Sequence, residues 1–243
     1  MTDMRGKSLF SVLLLLNFVA RTQEQTKAMA DNGNYGPAYK RVKLVFKDDF
    51  SDGLKNWVPE IPSTTASSVT IESNKLVIDV DGGATVWFTR KLSGNIMITY
   101  NRKVVVDSGR NDRLSDLNQF WMATDPARKN LFTRTGIFSE YDSLLLYYVG
   151  FGGNSNTTTR FRKYTGNGQR VLYNDLADKA HLLEPNKEYA IKIIVYKGVS
   201  KFFVDDKVFF SFSDEHPITE GYFGFRTTQS RQEIDNFKVY QLK

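Results

Sequence analysis

The sequence predicts an all-β chain that folds as a single antiparallel β-sandwich. Beyond about residue 40, apolar and polar side chains alternate with a period of two, not 3.6. The alternating runs are short, and Gly, Asn, Asp and Ser separate them at 73–74, 81–83, 166–168, 197–198 and 205–206. No stretch long enough for a major helix carries a helical apolar stripe. Residues 42–46, 75–80, 84–90, 95–107, 118–124 and 144–150 read as strands. So do 157–164, 189–196, 201–205, 207–212, 221–227 and 233–240, while 175–183 has room for a helical turn or two. With no second compositional regime and no internal repeat, these runs imply one sandwich over 42–243.

The 243 residues are 41% hydrophobic and 14% aromatic, enough for a sizeable core. The formal net charge is +6, of which residues 1–30 carry +2, leaving a mild basic excess of +4. That excess permits an acidic polymer as ligand without demanding one, and on an exported chain it disfavours nucleic acid as partner. Arg5 and Lys7 precede an apolar run, 8–20, too short to span a bilayer, and Ala28-Met-Ala30 offers a small-x-small cleavage site. Residues 1–30 are therefore expected to be a signal peptide, and 31–41 a flexible lead-in. The expected product is periplasmic or extracellular, soluble after cleavage and without stable membrane insertion. The chain has no Cys, which excludes disulfides, thiolate metal sites and cysteine-linked lipid.

The functional signal is concentrated in 112–164. There Asp112-Arg-Leu-Ser-Asp-Leu-Asn118-Gln-Phe-Trp121 is followed by Tyr147-Tyr148-Val-Gly-Phe-Gly-Gly-Asn154-Ser-Asn156-Thr-Thr-Thr-Arg160-Phe-Arg162-Lys-Tyr164. Hydrogen-bonding and aromatic side chains alternate inside a sheet, as a sugar-binding surface requires: hydroxyls at the sugar's edge, apolar C–H on its faces. Alternation puts Thr158, Arg160, Arg162 and Tyr164 on one face and Thr159, Phe161 and Lys163 on the other. Two arginines facing a core would be costly, whereas on a concave face Arg can hold a carboxylate with two parallel hydrogen bonds, which makes a uronic acid a natural target. Arg113, Asn118, Asn154, Asn156 and Thr158 join them as candidate substrate contacts. Trp121 is either a core anchor or a stacking platform, and only one of Tyr147 and Tyr148 can face a groove.

Tyr189-Ala-Ile-Lys-Ile-Ile-Val-Tyr196, Lys201-Phe-Phe-Val-Asp205 and Val208-Phe-Phe-Ser-Phe212 form a tight meander, followed by 221–227 and 233–240. This order resembles the closing strands of concanavalin A-like (laminin-G-like) jelly rolls. Asp48-Asp49-Phe50-Ser51-Asp52 with Trp57 resembles their opening. The resemblance covers about residues 42–241 and implies a jelly roll, a fold that hosts lectins, hydrolases and lyases alike. The 112–164 block resembles an uncharacterised family of secreted jelly-roll proteins from gut-bacterial polysaccharide-utilisation systems. That implies a polysaccharide or oligosaccharide as partner.

Three chemistries compete for the block. The leading expectation is a polysaccharide lyase acting by β-elimination, with Tyr148 and Tyr164 as base and acid and Arg160 and Arg162 neutralising the uronate carboxylate. A base of this type needs its pKa lowered by the cations beside it. The alternatives are a non-catalytic lectin-like glycan-binding module, and a glycoside hydrolase with non-standard acids. The acidic motif of laminarinase-type jelly rolls is missing, since Glu140-Tyr-Asp142 and Glu233-Ile-Asp235 share only its first spacing. His181 and His216 sit in apparent loops away from the block. No cofactor is required, and the one metal the sequence leaves room for is a structural Ca²⁺ at Asp49 and Asp235.

Overall fold

The computed structural model describes residues 39–63 and 66–243. The expected signal peptide, and the lead-in up to residue 38, lie outside the described residues. Sixteen strands form two antiparallel sheets. In chain order they are β1 (Arg41–Asp48), β2 (Trp57–Glu60), β3 (Ser68–Glu72), β4 (Lys75–Val80), β5 (Ala84–Phe88) and β6 (Leu92–Ser93). The middle of the chain forms β7 (Ile96–Val105), β8 (Leu117–Thr124), β9 (Leu145–Gly152), β10 (Thr158–Thr165) and β11 (Arg170–Leu176). β12 (Glu188–Tyr196), β13 (Val199–Val204), β14 (Lys207–Ser213), β15 (Glu220–Thr227) and β16 (Ser230–Leu242) complete it. One sheet runs β14-β13-β12-β7-β16-β4-β3, with β1 also on β16; the other runs β11-β10-β9-β8-β15-β5-β2, with β6 on β15. The described chain is thus the antiparallel β-sandwich that the period of two predicts.

Inward-facing side chains of both sheets make the main core. Its centre is aromatic: Trp57 stacks on Phe225 with centroids 5.2 Å apart, and Phe237 meets Trp57 edge-on at 5.0 Å. Such pairs add to the area term, itself about 25 cal/mol per Å² of apolar surface buried. Trp121 belongs to this core: it is fully buried, its ring stacks on Phe202, and its Nε1 donates to Ser200 Oγ at 2.9 Å. A β-bulge follows it, where Met122 adopts φ 53° and turns into the same core. Of the two adjacent tyrosines, Tyr147 faces inward, donating to Asp214 Oδ2 at 2.5 Å and accepting from the Ile218 N–H.

A second apolar cluster lies on the outer face of the second sheet. Trp87, Phe120, Leu146, Tyr148 and Tyr164 stand on that face, and Leu131, Tyr141 and Leu144 close over them from the β8–β9 connection. That connection, residues 125–144, has no alternating pattern, and Arg134 ties it together. Arg134 donates to Asp125 Oδ2 at 2.6 Å, to the Glu140 carbonyl at 2.7 Å and to the Leu131 carbonyl at 3.1 Å. The buried carboxylate of Glu60 then accepts from Trp87 Nε1, the Tyr141 hydroxyl and the Arg134 N–H, all within 2.8 Å. Charged and polar groups thus seal one half of the sheet's outer face under a dry cap.

Candidate functional site

The other half of that face stays open and forms a cleft. Register explains its composition. Arg226 of β15 pairs with Asn118 of β8, Asn118 with Gly150 of β9, and Gly150 with Arg160 of β10. The outward residues at this level and the next are therefore Asn118, Tyr148, Gly150, Thr158, Arg160 and Arg162. The cleft has a volume of about 280 Å³, and Arg113, Asp116, Gly153, Asn154, Ser155, Phe138 and Thr228 complete its walls.

Three features shape it from below and beside. First, Tyr148 leans along its own strand over Gly150, where any Cβ would collide with the phenol oxygen. Second, the buried Arg102 of β7 reaches across the sandwich: its Nη1 donates to the Asn118 carbonyl at 2.6 Å and its Nη2 to the Arg226 carbonyl at 3.2 Å. Its Nε bonds Gln232 Oε1, and Gln232 Nε2 bonds the Asp116 carbonyl at 3.0 Å. Burial pulls the Arg102 guanidinium down to about 10, still charged at neutral pH. This network fixes the backbone of the cleft floor to the opposite sheet. Third, Asn154, Ser155 and Asn156 all have positive φ, 53–61°, a left-handed run that costs about 1–2 kcal/mol per non-glycine residue. Asn156 pins it, donating to the Leu183 carbonyl at 2.9 Å and accepting from the Leu183 N–H at 2.8 Å.

Charge in the cleft is nearly balanced. Arg113 pairs with Asp116, and Asn118 Nδ2 also approaches Asp116, at 3.4 Å. Arg160 pairs with Asp175 at 2.8 Å on the rim. Arg162 has no ion pair among the described residues, and its buried Nε has no hydrogen-bond partner in the protein. The same holds for Asn118 Oδ1 and Thr158 Oγ1. A donor, an acceptor and a hydroxyl left unpaired on one cleft are what a polyhydroxylated ligand can satisfy.

The cleft gathers Arg113, Asn118, Tyr148, Asn154, Thr158, Arg160 and Arg162 from the sequence-based set, and leaves out five others. Trp121 is a core residue, because the inner face of β8 is the one that carries it. Tyr164 shares the outer face but is fully buried under the cap, with burial pushing its hydroxyl up to about 12. Asn156 is spent on the Leu183 clamp. Asp49 and Asp235 do not line the cleft: Asp49 accepts from the Ser51 N–H and hydroxyl, Asp235 accepts from the Asn236 N–H at 2.5 Å, and among the described residues no cluster of three or more acidic, His or Cys side chains suits a metal. Burial also drives Tyr148 the wrong way for a base, raising its pKa, reinforced by Tyr164 and Asp116 and only partly opposed by Arg226 and Arg162.

Sequence reasoning gives no site role to Asp116, Phe138 and Thr228. Asp116 lies inside the polar block but follows no catalytic spacing. Phe138 sits on a short 3₁₀ turn in the 125–144 segment, where no periodicity points to a groove.

The chain resembles solved structures over most of its length. A Bacillus subtilis protein of unknown function with a galectin-like fold superposes with a TM-score of 0.68 at 19% identity, covering 84% of this chain and 99% of that one. The endo-β-1,3-glucanase from Pyrococcus furiosus gives 0.57 at 10%, covering 86% and 99%. The carbohydrate-binding module CBM66 from Bacillus subtilis gives 0.53 at 16%, covering 76% and 96%. At these identities the likeness establishes the jelly-roll fold. No curated protein matches the chain in sequence. Residues 78–237 match the family described as Domain of unknown function (DUF6250), and the chain belongs to that family.

Proposed function

We propose that the protein is carbohydrate-active and that the cleft holds an acidic sugar unit of a glycan. The observation that carries this reading is the unpaired trio of Arg162 Nε, Asn118 Oδ1 and Thr158 Oγ1 on one small concavity. Around it stand three guanidinium groups against two carboxylates, so one positive charge is uncompensated. A uronate supplies one carboxylate and several hydroxyls, which matches that inventory. The carbohydrate-binding module and the glucanase among the structural likenesses support the sugar context. In this reading residues 1–30 act as an export signal and 42–243 as the glycan-binding body.

Hydrolysis fits poorly. Asp116 is the only carboxylate lining the cleft, and glycosidases of the usual kind need two. β-Elimination is the second reading, favoured by the Tyr148 phenol over Gly150 beside the cleft arginines. It asks Tyr148 to ionise against its burial, so binding is the function the geometry supports best. Incubation with pectin, rhamnogalacturonan, glucuronan, alginate and glycosaminoglycans, followed by ultraviolet absorbance and calorimetry, tests both. Binding without absorbance gain is the expected result, and a gain on any polymer marks the conjugated product of a lyase. Absence of binding to every acidic glycan overturns the proposal.

A further inference from the structure

Resting on the acidic-glycan reading, the geometry points to recognition of a chain end rather than a chain interior. Register gives a row of outward positions running across the second sheet at the level of the cleft. Asn118, Gly150 and Arg160 form its open half; Arg226, Thr85 and Glu60, successive partners on β15, β5 and β2, form the other half. Gly136 of the 125–144 segment sits directly on that second half. Its carbonyl accepts from Arg226 Nη1 at 2.5 Å, and a Cβ at this position would lie 2.8 Å from the Glu60 carbonyl oxygen and 2.9 Å from that of Gly83. Gly136 and Gly83 both have φ above 90°, so only glycine lets the segment approach the sheet so closely.

Phe138 of the same segment also lines the cleft, its ring between the guanidinium groups of Arg226 on β15 at 5.1 Å and Arg170 on β11 at 5.4 Å. A glycan laid across the strands would therefore meet a wall at β15. Towards the other side the row ends at Arg160 and Asp175, paired on β10 and the terminal strand β11 with both side chains partly exposed. The cleft's volume of about 280 Å³ lies at the low end of the range for small-ligand pockets, about 300–1,000 Å³. A terminal acidic unit seated beside Arg162 and Asn118, its chain leaving over the β10–β11 edge, fits this blind shape.

Calorimetric titration of the full chain with size-defined oligogalacturonides and oligoglucuronates, from dimer to decamer, tests the inference. One protein bound per glycan chain at every length is expected. Modification of one end, by reduction of the reducing unit or methylation of the non-reducing one, is expected to weaken binding by about tenfold or more. A protein-to-chain ratio that rises with length, with both end modifications silent, overturns end recognition while leaving acidic-glycan binding intact. No binding to any oligomer overturns the underlying reading together with the inference.

Discussion

The outer face of the second sheet is one surface with two fates, and the same strands contribute to both. Phe120 and Asn118 are two residues apart on β8; Leu146 and Tyr148 are two apart on β9; Tyr164 and Arg162 are two apart on β10. One member of each of the first and last pairs is buried in an aromatic cluster sealed by residues 125–144, while the other lines the cleft. Tyr148 belongs to both, its ring in the cluster and its edge on the cleft. The dry half gains its stability from packed aromatic rings, while the wet half leaves polar groups where a ligand can reach them. In the dry half Glu60 accepts from three donors, and the atoms left unpaired there, the Tyr164 hydroxyl and Arg226 Nε and Nη2, lie beneath packed rings. In the wet half a guanidinium, an amide oxygen and a hydroxyl are buried without partners.

Phe120→Ala should do most damage to the dry half. Phe120 is fully buried against Trp87, Tyr141, Tyr148 and Tyr164, so the cavity should cost about 3–5 kcal/mol, read as a fall in the denaturant midpoint. A change below about 1 kcal/mol would mean the cap is an accessory to a sheet that is stable without it. On the wet half, Arg162→Met should act oppositely. It removes a charge with no ion pair, so the midpoint should hold or rise, while affinity for an acidic glycan falls by about 2–5 kcal/mol. A large stability loss instead would make Arg162 a structural residue.

Asp125 tests the cap through pH. Burial alone would raise its pKa, but the Arg134 guanidinium and the Ala127 N–H hold it below the ordinary 3.8. A depressed carboxylate contributes stability that is fully present above its unfolded pKa and is lost as pH falls through the folded one. Asp125→Asn should therefore cost roughly 1–3 kcal/mol at neutral pH, with the gap to the parent closing in acid. A gap of constant size down to pH of about 2 would show that the pair's charge is not what matters. The smallest effect belongs to Tyr148→Phe, whose lost hydroxyl makes no hydrogen bond among the described residues. Its stability should stay within about 1 kcal/mol of the parent, and loss of elimination with retained binding would move the balance toward the lyase reading.

Much of the fold was legible because alternation is a local signal. The separation of Thr158, Arg160, Arg162 and Tyr164 from Thr159, Phe161 and Lys163 follows from the pleat, and the structure keeps it. Which face meets the core is a tertiary fact that period alone does not carry, and Trp121 is where that ambiguity mattered. The bulge at Met122 also shifts the register beyond it, so outward positions from Ala123 onward do not continue those before. β11, an edge strand whose Val171 and Leu172 are neighbours and both exposed, and the short β2, interrupted by Pro59, lack the alternation that marks the others. The cap was illegible for a different reason: its order comes from Arg134, Glu60 and Gly136 contacts between segments far apart in sequence, which leave no periodic trace.

The left-handed run 154–156 has a kinetic consequence. Its strain is met in the free protein by the Asn156–Leu183 clamp, so the rim needs no ordering when a ligand arrives. Association should then proceed in a single phase without a slow isomerisation, and variants of the cleft should differ mainly in how quickly the glycan leaves.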